Sequence, residues 1–379
     1  MKHGKLFFSL QLSCLIALLS TAVIAAPPFQ TPPKLFDRES HTLGLNLLNS
    51  QHRMLFRATE DSYQYCHHPN LVVFRDKLYC MWSNGIIEED MPGQRILYCH
   101  TEDGSHWTKP TELTNHKQGK GVCVSAGFHA SGKTLIAFYS ATDGENFGES
   151  TALLARTSTD GQTWSKPRRI ISGFFIEGPR QLPSGRLLLS GEHVGPQREA
   201  KRMKLLYTDQ HDGLDGWKEA RIEIEKLTVF NYTEPSFFSR GGGTLVMSFR
   251  NRSGFLYASE STDQGQSWSM PSETNFRDCR SRFSAGNLPD GTAFLINNPG
   301  PHHRRYLTIA VSDDGETFDR AWMIFGKRIR HRYGGRTKSL GWQYPNAIVW
   351  KEHLHVAYSI NKEDLGASRI ALRDLDLSN

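Results

Sequence analysis

Four stretches share one pattern: Thr101-Glu-Asp103-Gly104-Ser-His-Trp107, Ser158-Thr-Asp160-Gly161-Gln-Thr-Trp164, Ser261-Thr-Asp263-Gln-Gly265-Gln-Ser-Trp268 and Ser312-Asp-Asp314-Gly315-Glu-Thr-Phe318. Each runs hydroxyl residue, Asp, Gly, aromatic. Glycine permits the positive φ of a tight turn, and an Asp carboxylate accepts backbone N–H groups inside one. The aromatic is expected to pack the turn onto its own sheet. Successive Asp positions lie about 57, 103 and 51 residues apart, so the middle gap holds two periods. A period near 50 residues is the length of one propeller blade.

Working outward, hairpin signals recur at the same spacing. Apolar stretches flank Arg75-Asp76-Lys77, Ala130-Ser131-Gly132, Pro183-Ser184-Gly185, Gly241-Gly242-Gly243, Pro289-Asp290-Gly291 and Lys351-Glu352. Each pair of strands is followed by a third, and no sustained helical period interrupts them. Six such meanders predict an all-β fold, a six-bladed β-propeller. The third blade keeps a degenerate copy of the repeat, from Asp209 through Gly213 to Trp217. A lone strand over His52–Ala58 is expected to close the ring by joining the last blade. Blade three is expected to open with a strand over Phe174–Arg180.

The repeated phrase resembles the Asp box of sialidases and related BNR-repeat proteins. That resemblance spans roughly residues 50 to 375 and implies a sialidase-like propeller whose boxes are structural turns remote from the chemistry. It also implies a site. Blade four opens with Glu234-Pro235 and its second strand ends at Arg250, matching the family's Glu before Pro and following Arg. Arg304 and Arg305 precede the third strand of blade five, and Arg304 fits the family spacing better. Blade six opens with Gln343-Tyr344-Pro345, where sialidases carry their Tyr nucleophile.

The chemistry accounts for these residue types. Sialic acid bears a carboxylate at its anomeric carbon, which arginines hold by charge-assisted bonds. A neutral Tyr is not repelled by that carboxylate as an anionic nucleophile would be, and Glu234 could take its proton. A separate carboxylic acid would protonate the leaving oxygen. The acidic loop Glu88-Glu89-Asp90 lies where the family keeps its acid/base, and either Glu89 or Asp90 fits. Blade one departs from the pattern: His67, in Tyr65-Cys66-His67-His68-Pro69, occupies the place of a substrate-binding Arg. His67 and His68 are therefore substrate-binding candidates, or bases.

The function expected from the resemblance is an exo-acting glycoside hydrolase on a terminal anionic sugar, sialic acid first, with Tyr344 as nucleophile. Two alternatives stand beside it. One is a rhamnosidase or uronate lyase on the same propeller, using His67 or His68. The other is a non-catalytic glycan-binding propeller. The mechanism requires no metal or organic cofactor.

The remaining expectations concern context. Residues 1–26 carry Lys2 and Lys5, an apolar run and a small-residue end, the pattern of a secretory signal peptide, so the chain is expected to be secreted or periplasmic. Residues 27–50 are Pro-rich at first and read as a linker, and 51–379 as the propeller domain. No later apolar run is long enough to span a bilayer. The formal charge of +6, about +4 without the first 26 residues, is too small and dispersed for nucleic acid and suits an anionic glycan. A monomer is expected. Cys66, Cys80, Cys99, Cys123 and Cys279 remain after residue 26. They read as buried thiols, although Cys66, Cys80 and Cys99 sit on strands close enough for one bridge.

Overall fold

Six four-stranded antiparallel sheets follow one another along the chain and form the blades of a propeller in the computed structural model. It describes residues 26–114, 121–144, 147–200, 202–224, 227–230, 232–300 and 303–375. The expected signal segment falls, but for Ala26, outside these residues.

Blade one consists of Tyr65–Phe74, Lys77–Gly85, Arg95–Thr101 and Thr111–Thr114. Blade two follows with Val122–Ser131, Thr134–Thr142, Ala152–Ser158 and Arg168–Ser172, and blade three with Arg180–Gln181, Leu187–Glu192, Met203–Thr208 and Lys218–Glu219. Blade four comprises Ser236–Arg240, Thr244–Phe249, Phe255–Ser261 and Ser272–Arg277; blade five comprises Ser284–Asn287, Ala293–Asn297, Leu307–Ser312 and Arg320–Phe325. Blade six has three late strands, Trp342–Trp350, His353–Ile360 and Asp364–Ala371, and takes its fourth from Gln51–Phe56. That pairing sets Gln51 against Arg369 and His52 against Ser368, so the ring closes through the early strand as expected.

The hydrophobic core is divided among the junctions between blades. One apolar cluster joins blades six and one around Trp82, Leu97 and Trp350. Another joins one and two around Met81, Leu135 and Tyr139. The other four junctions are filled in the same way. Strands buried on both faces read as nearly continuous apolar runs, and Leu187–Leu189 is an example.

The Asp boxes adopt the turn expected of them. In blade two, Ser158 Oγ donates to Asp160 Oδ1 at 2.9 Å and accepts from Gly161 N–H at 2.9 Å, while Asp160 Oδ1 accepts from the N–H groups of Gln162 and Thr163 at 2.8 and 2.7 Å. The same constellation recurs around Asp103 and Asp314. Their packing differs from expectation, because the turns bridge blades. A Cβ on Gly161 would meet Tyr79 Oη of blade one at 2.4 Å, and one on Gly104 would meet His355 of blade six at 2.5 Å. Trp164 stacks on Phe128 of its own blade but also donates Nε1–H to Tyr98 of blade one at 3.2 Å.

Three further features differ from the sequence reading. Five outer strands have no signal of their own; they are two to six residues long, and only Arg168–Ser172 and Lys218–Glu219 are mostly exposed. The strand expected over Phe174–Arg180 shrinks to Arg180–Gln181, because this stretch crosses tightly over blade two. A Cβ on Gly178 would lie 3.0 Å from Phe128 O, and Ser140 Oγ, not a ladder, pins both N and O of Phe175. The stretch 27–50 packs along blades four and five. Phe29 is buried among Phe238, Phe276 and Phe318, Gln30 N–H donates to Glu316 O at 2.8 Å, and Leu48 N–H donates to Met323 O at 2.8 Å. All five described cysteines are free thiols, including Cys80 and Cys99, which face each other across adjacent strands. Among the described residues no helix is long and apolar enough to cross a membrane.

Candidate active site

Three side chains of the site are presented by the same local device. His68, Glu234 and Tyr344 each precede a proline where an innermost strand begins or bulges, and each has positive φ, 54°, 37° and 56°. The ladder registers slip at two of these places, between His67 and Asn70 and between Gln343 and Asn346. A bulge re-aims a side chain, and a non-glycine residue before proline in this conformation is strained. Packing holds that strain and turns all three side chains toward one mouth of the central channel. Asp90, with φ 60°, is presented similarly from the loop after the second strand of blade one.

These residues enclose a cavity of about 410 Å³, lined by His68, Glu89, Asp90, Phe147, Phe174, Tyr232, Glu234, Arg250, Arg304, Tyr344 and Lys362. None of the Asp-box residues reaches it. At its floor the Tyr344 hydroxyl donates to Glu234 Oε1 at 2.5 Å. Arg250 Nη1 donates to the other oxygen of the same carboxylate and to Tyr344 Oη at 2.9 Å. Arg304 lies with its guanidinium carbon 5.3 Å from the Tyr344 ring centre and donates to Gln343 Oε1. The Glu, Arg, Arg and Tyr, drawn from three blades, are thus brought together.

The acidic loop of blade one divides its roles. Glu88 points away and accepts the backbone N–H of Arg336, tying the loop to blade six. Glu89 Oε2 pairs with Lys362 Nζ, and Glu89 Oε1 accepts from Tyr65 Oη at 3.1 Å. Asp90 lines the cavity, with its N–H donating to Gln94 Oε1 at 3.0 Å.

Two sequence candidates lie outside the cavity. Arg305 donates Nε–H to Gly326 O at 3.2 Å and covers Tyr306, so its charge serves the blade-five loop. His67, fully buried, packs tilted behind Tyr344 with ring centres 3.8 Å apart and does not line the cavity. His68 does line it, its Nδ1 3.3 Å from Ser83 Oγ. His67, His68 and Glu89 are also the one group among the described residues with the side-chain types and proximity of a metal cluster. The Glu89 carboxylate already carries the Lys362 ammonium.

The electrostatics follow from burial and these pairings. Burial drives the Tyr344 phenol up, and Glu234 adds to this against the pull of Arg250 and Arg304, so the hydroxyl is neutral. Burial would raise Glu234, but Arg250 and the Tyr344 hydrogen bond outweigh it and hold the carboxylate ionised. Glu89 is likewise raised by burial and brought down further, to about 2, chiefly by Lys362 and then His68. Burial first, then Lys362 and His68, hold His67 well below its usual range, and burial takes His68 down to about 3. Both imidazoles are therefore neutral at pH 7, which removes the charged His67 that a carboxylate ligand would need.

The opposite mouth of the channel holds a smaller space of about 280 Å³ and none of the Tyr344, Glu234 or Arg250 set. Between the two mouths Arg282 is buried, 3.6 Å from Glu177 Oε2. Sequence reasoning missed Lys362, Gln343 and the aromatic wall of Phe147, Phe174 and Tyr232. Lys362 sits in a two-residue turn whose sequence carries no spacing signal, and the wall is assembled from three separate blades.

Comparison with known proteins agrees with this architecture. Residues 76–356 match the family described as BNR repeat-like domain. A curated sialidase of Bacteroides fragilis (strain YCH46) is 24% identical over 227 residues, covering 54% of this chain and 40% of that protein. A solved sialidase superposes with a TM-score of 0.67 at 18% identity, over 91% of this chain and 35% of that one. Trypanosoma rangeli sialidase in complex with sialic acid gives 0.64 at 15% identity, over 88% and 61%. The intramolecular trans-sialidase from Ruminococcus gnavus in complex with oseltamivir carboxylate gives 0.61 at 14% identity, over 89% and 99%. This chain thus spans well under half the length of the first two. With its repeats, its ring of six blades and a family match over most of its length, the chain belongs to the BNR repeat-like domain family.

Proposed function

We propose that this protein is an exo-acting glycoside hydrolase of the sialidase type that removes a terminal anionic sugar, sialic acid first, and that it works outside the cytoplasm after loss of residues 1–26. The observation that carries this reading is the contact of Tyr344, Glu234 and Arg250 at the cavity floor.

Tyr344 Oη attacks the anomeric carbon while Glu234 takes the phenolic proton, so the nucleophile gains charge only as the bond forms. Asp90 donates a proton to the departing glycosidic oxygen as the C–O bond breaks. The resulting glycosyl–tyrosine is hydrolysed by water, which gives its proton to Asp90, and Glu234 returns a proton to the leaving phenolate. Asp90 is preferred to Glu89 as the acid because Glu89 is held ionised by Lys362. Arg250 and Arg304 supply positive charge for the substrate carboxylate.

The test is release of free sugar from a panel of fluorogenic glycosides by wild type and Tyr344→Phe side by side. Turnover of the sialoside that falls at least about 100-fold in the variant supports the nucleophile assignment. Turnover unchanged by the substitution would remove it. The neutral His68 on the cavity wall favours a second reading, a uronate lyase with His68 as base. Such an enzyme leaves an unsaturated product that absorbs in the near ultraviolet, and a hydrolase does not.

A further inference from the structure

The cations of the cavity are unevenly neutralised. Arg250 is bound to Glu234. Arg304 has no carboxylate partner among the described residues; it donates only to Gln343 Oε1 and the Arg280 carbonyl. Lys362 pairs with Glu89, which is itself bound by Tyr65, and Asp90 adds a smaller attraction. Lys362 and Arg304 share one local field, since each acts on Glu89 and Arg304 acts on Lys362.

The backbone of Lys362 adds an independent observation. Asn361 and Lys362 are the central pair of a tight hairpin turn, φ 57° and 58°, closed by Glu363 N–H donating to Ile360 O at 2.9 Å. Such turns favour Asn-Gly, so a lysine at the second position is strained. The turns at Arg75-Asp76 and Lys351-Glu352 accept similar strain, but at the surface. Lys362 alone of the three is buried, with its ammonium on the cavity wall. Strain combined with burial of a charge is the signature of a functional position.

Resting on the glycosidase reading above, we propose that Lys362 is a specificity-determining residue: with Arg304 it holds the carboxylate of an acidic sugar, and Glu89 is its counter-ion in the unliganded site. The place in blade one that His67 leaves uncharged is then made good from blade six. On binding, the sugar carboxylate approaches Arg304 and shares Lys362 with Glu89, so the ligand selected is monoanionic and its neutral ester is rejected.

The test is calorimetric binding of free N-acetylneuraminic acid and of its methyl ester, in a Tyr344→Phe background that carries Lys362→Met, Lys362→Arg or Glu89→Gln. The background protein is expected to prefer the acid. Lys362→Met is expected to weaken acid binding roughly tenfold or more and to leave the ester nearly unchanged, with Lys362→Arg restoring most of the loss. Glu89→Gln removes the competing carboxylate and is expected to tighten acid binding several-fold, a gain that a misfolded variant could not produce. Acid binding unaltered by Lys362→Met, or weakened by Glu89→Gln, would overturn the proposal. Sugar release by wild type together with acid affinity indifferent to Lys362 removes this proposal alone. Lys362-dependent acid binding without release from any glycoside removes the hydrolase reading alone.

Discussion

Tyr344 is buried, neutral and hydrogen-bonded to an ionised Glu234, an arrangement that keeps the proton poised to leave without charging the phenol in advance. On the proposed mechanism, the same logic distinguishes the two acids of blade one. A residue that must deliver a proton cannot be locked as an anion, and Glu89 is locked by Lys362. Asp90→Asn is therefore expected to lower kcat by roughly 10²–10⁴-fold on glycosides with poor leaving groups. The loss should be much smaller on activated aryl glycosides, whose oxygen departs unaided, and comparing the two substrate classes checks the assignment. Glu89→Gln should show no such dependence on leaving group. Of these residues, Glu234, Arg250, Arg304 and Tyr344 were legible from family order along the chain. Lys362 was not, because its role depends on where a turn of blade six falls against a loop of blade one.

At the scale of elements, the repeated turn and the pre-proline bulge do most of the organising. The Asp box carries three or four hydrogen bonds on one carboxylate, and its glycine lets a neighbouring blade approach. Gly161→Ala must keep φ near 75° with a Cβ directed at the Tyr79 hydroxyl. It is expected to cost about 1–3 kcal/mol in urea unfolding, without altering ligand binding at the cavity. Asp160→Ala strips the acceptor from two backbone N–H groups and should cost about 1–2 kcal/mol by the same measurement. These turns were readable because their geometry is local and needs particular residues. The outer strands and the shortened opening of blade three were not, since a two-to-six-residue strand is fixed by the neighbour it pairs with or crosses.

At the scale of the whole molecule, stability resides in the contacts between blades and in the closure of the ring. Phe29 lies among three aromatic rings of blades four and five, and Phe29→Ala is expected to lower stability by about 3–5 kcal/mol, although it is far along the chain from both blades. His355 lies at the junction of blades six and one, where burial lowers it to about 4. Its folded pKa is below the ordinary value of 6.5, so the unfolded chain binds more protons between these limits. Stability from keeping His355 neutral is full above pH 6.5 and is lost as pH falls toward 4. His355→Gln should remove up to ~1.4 kcal/mol per pH unit of that slope, measured as unfolding free energy against pH.

The amino-acid sequence was enough to read the kind of fold, the number of blades, the closing strand and the order of the candidate site residues along the chain. Turn chemistry and strand alternation act over a few residues, and the repeat restates them at each blade. What only the tertiary structure decided was the disposition of charge. Glu89 and Asp90 are adjacent in sequence and chemically alike, yet a lysine more than two hundred and seventy positions away pairs with Glu89 while Asp90 lines the cavity. His67 became a neutral ring behind Tyr344, and Arg305 turned outward while Arg304 turned in. Burial and partner geometry set each of these outcomes, and both exist only once the six blades have met around the channel.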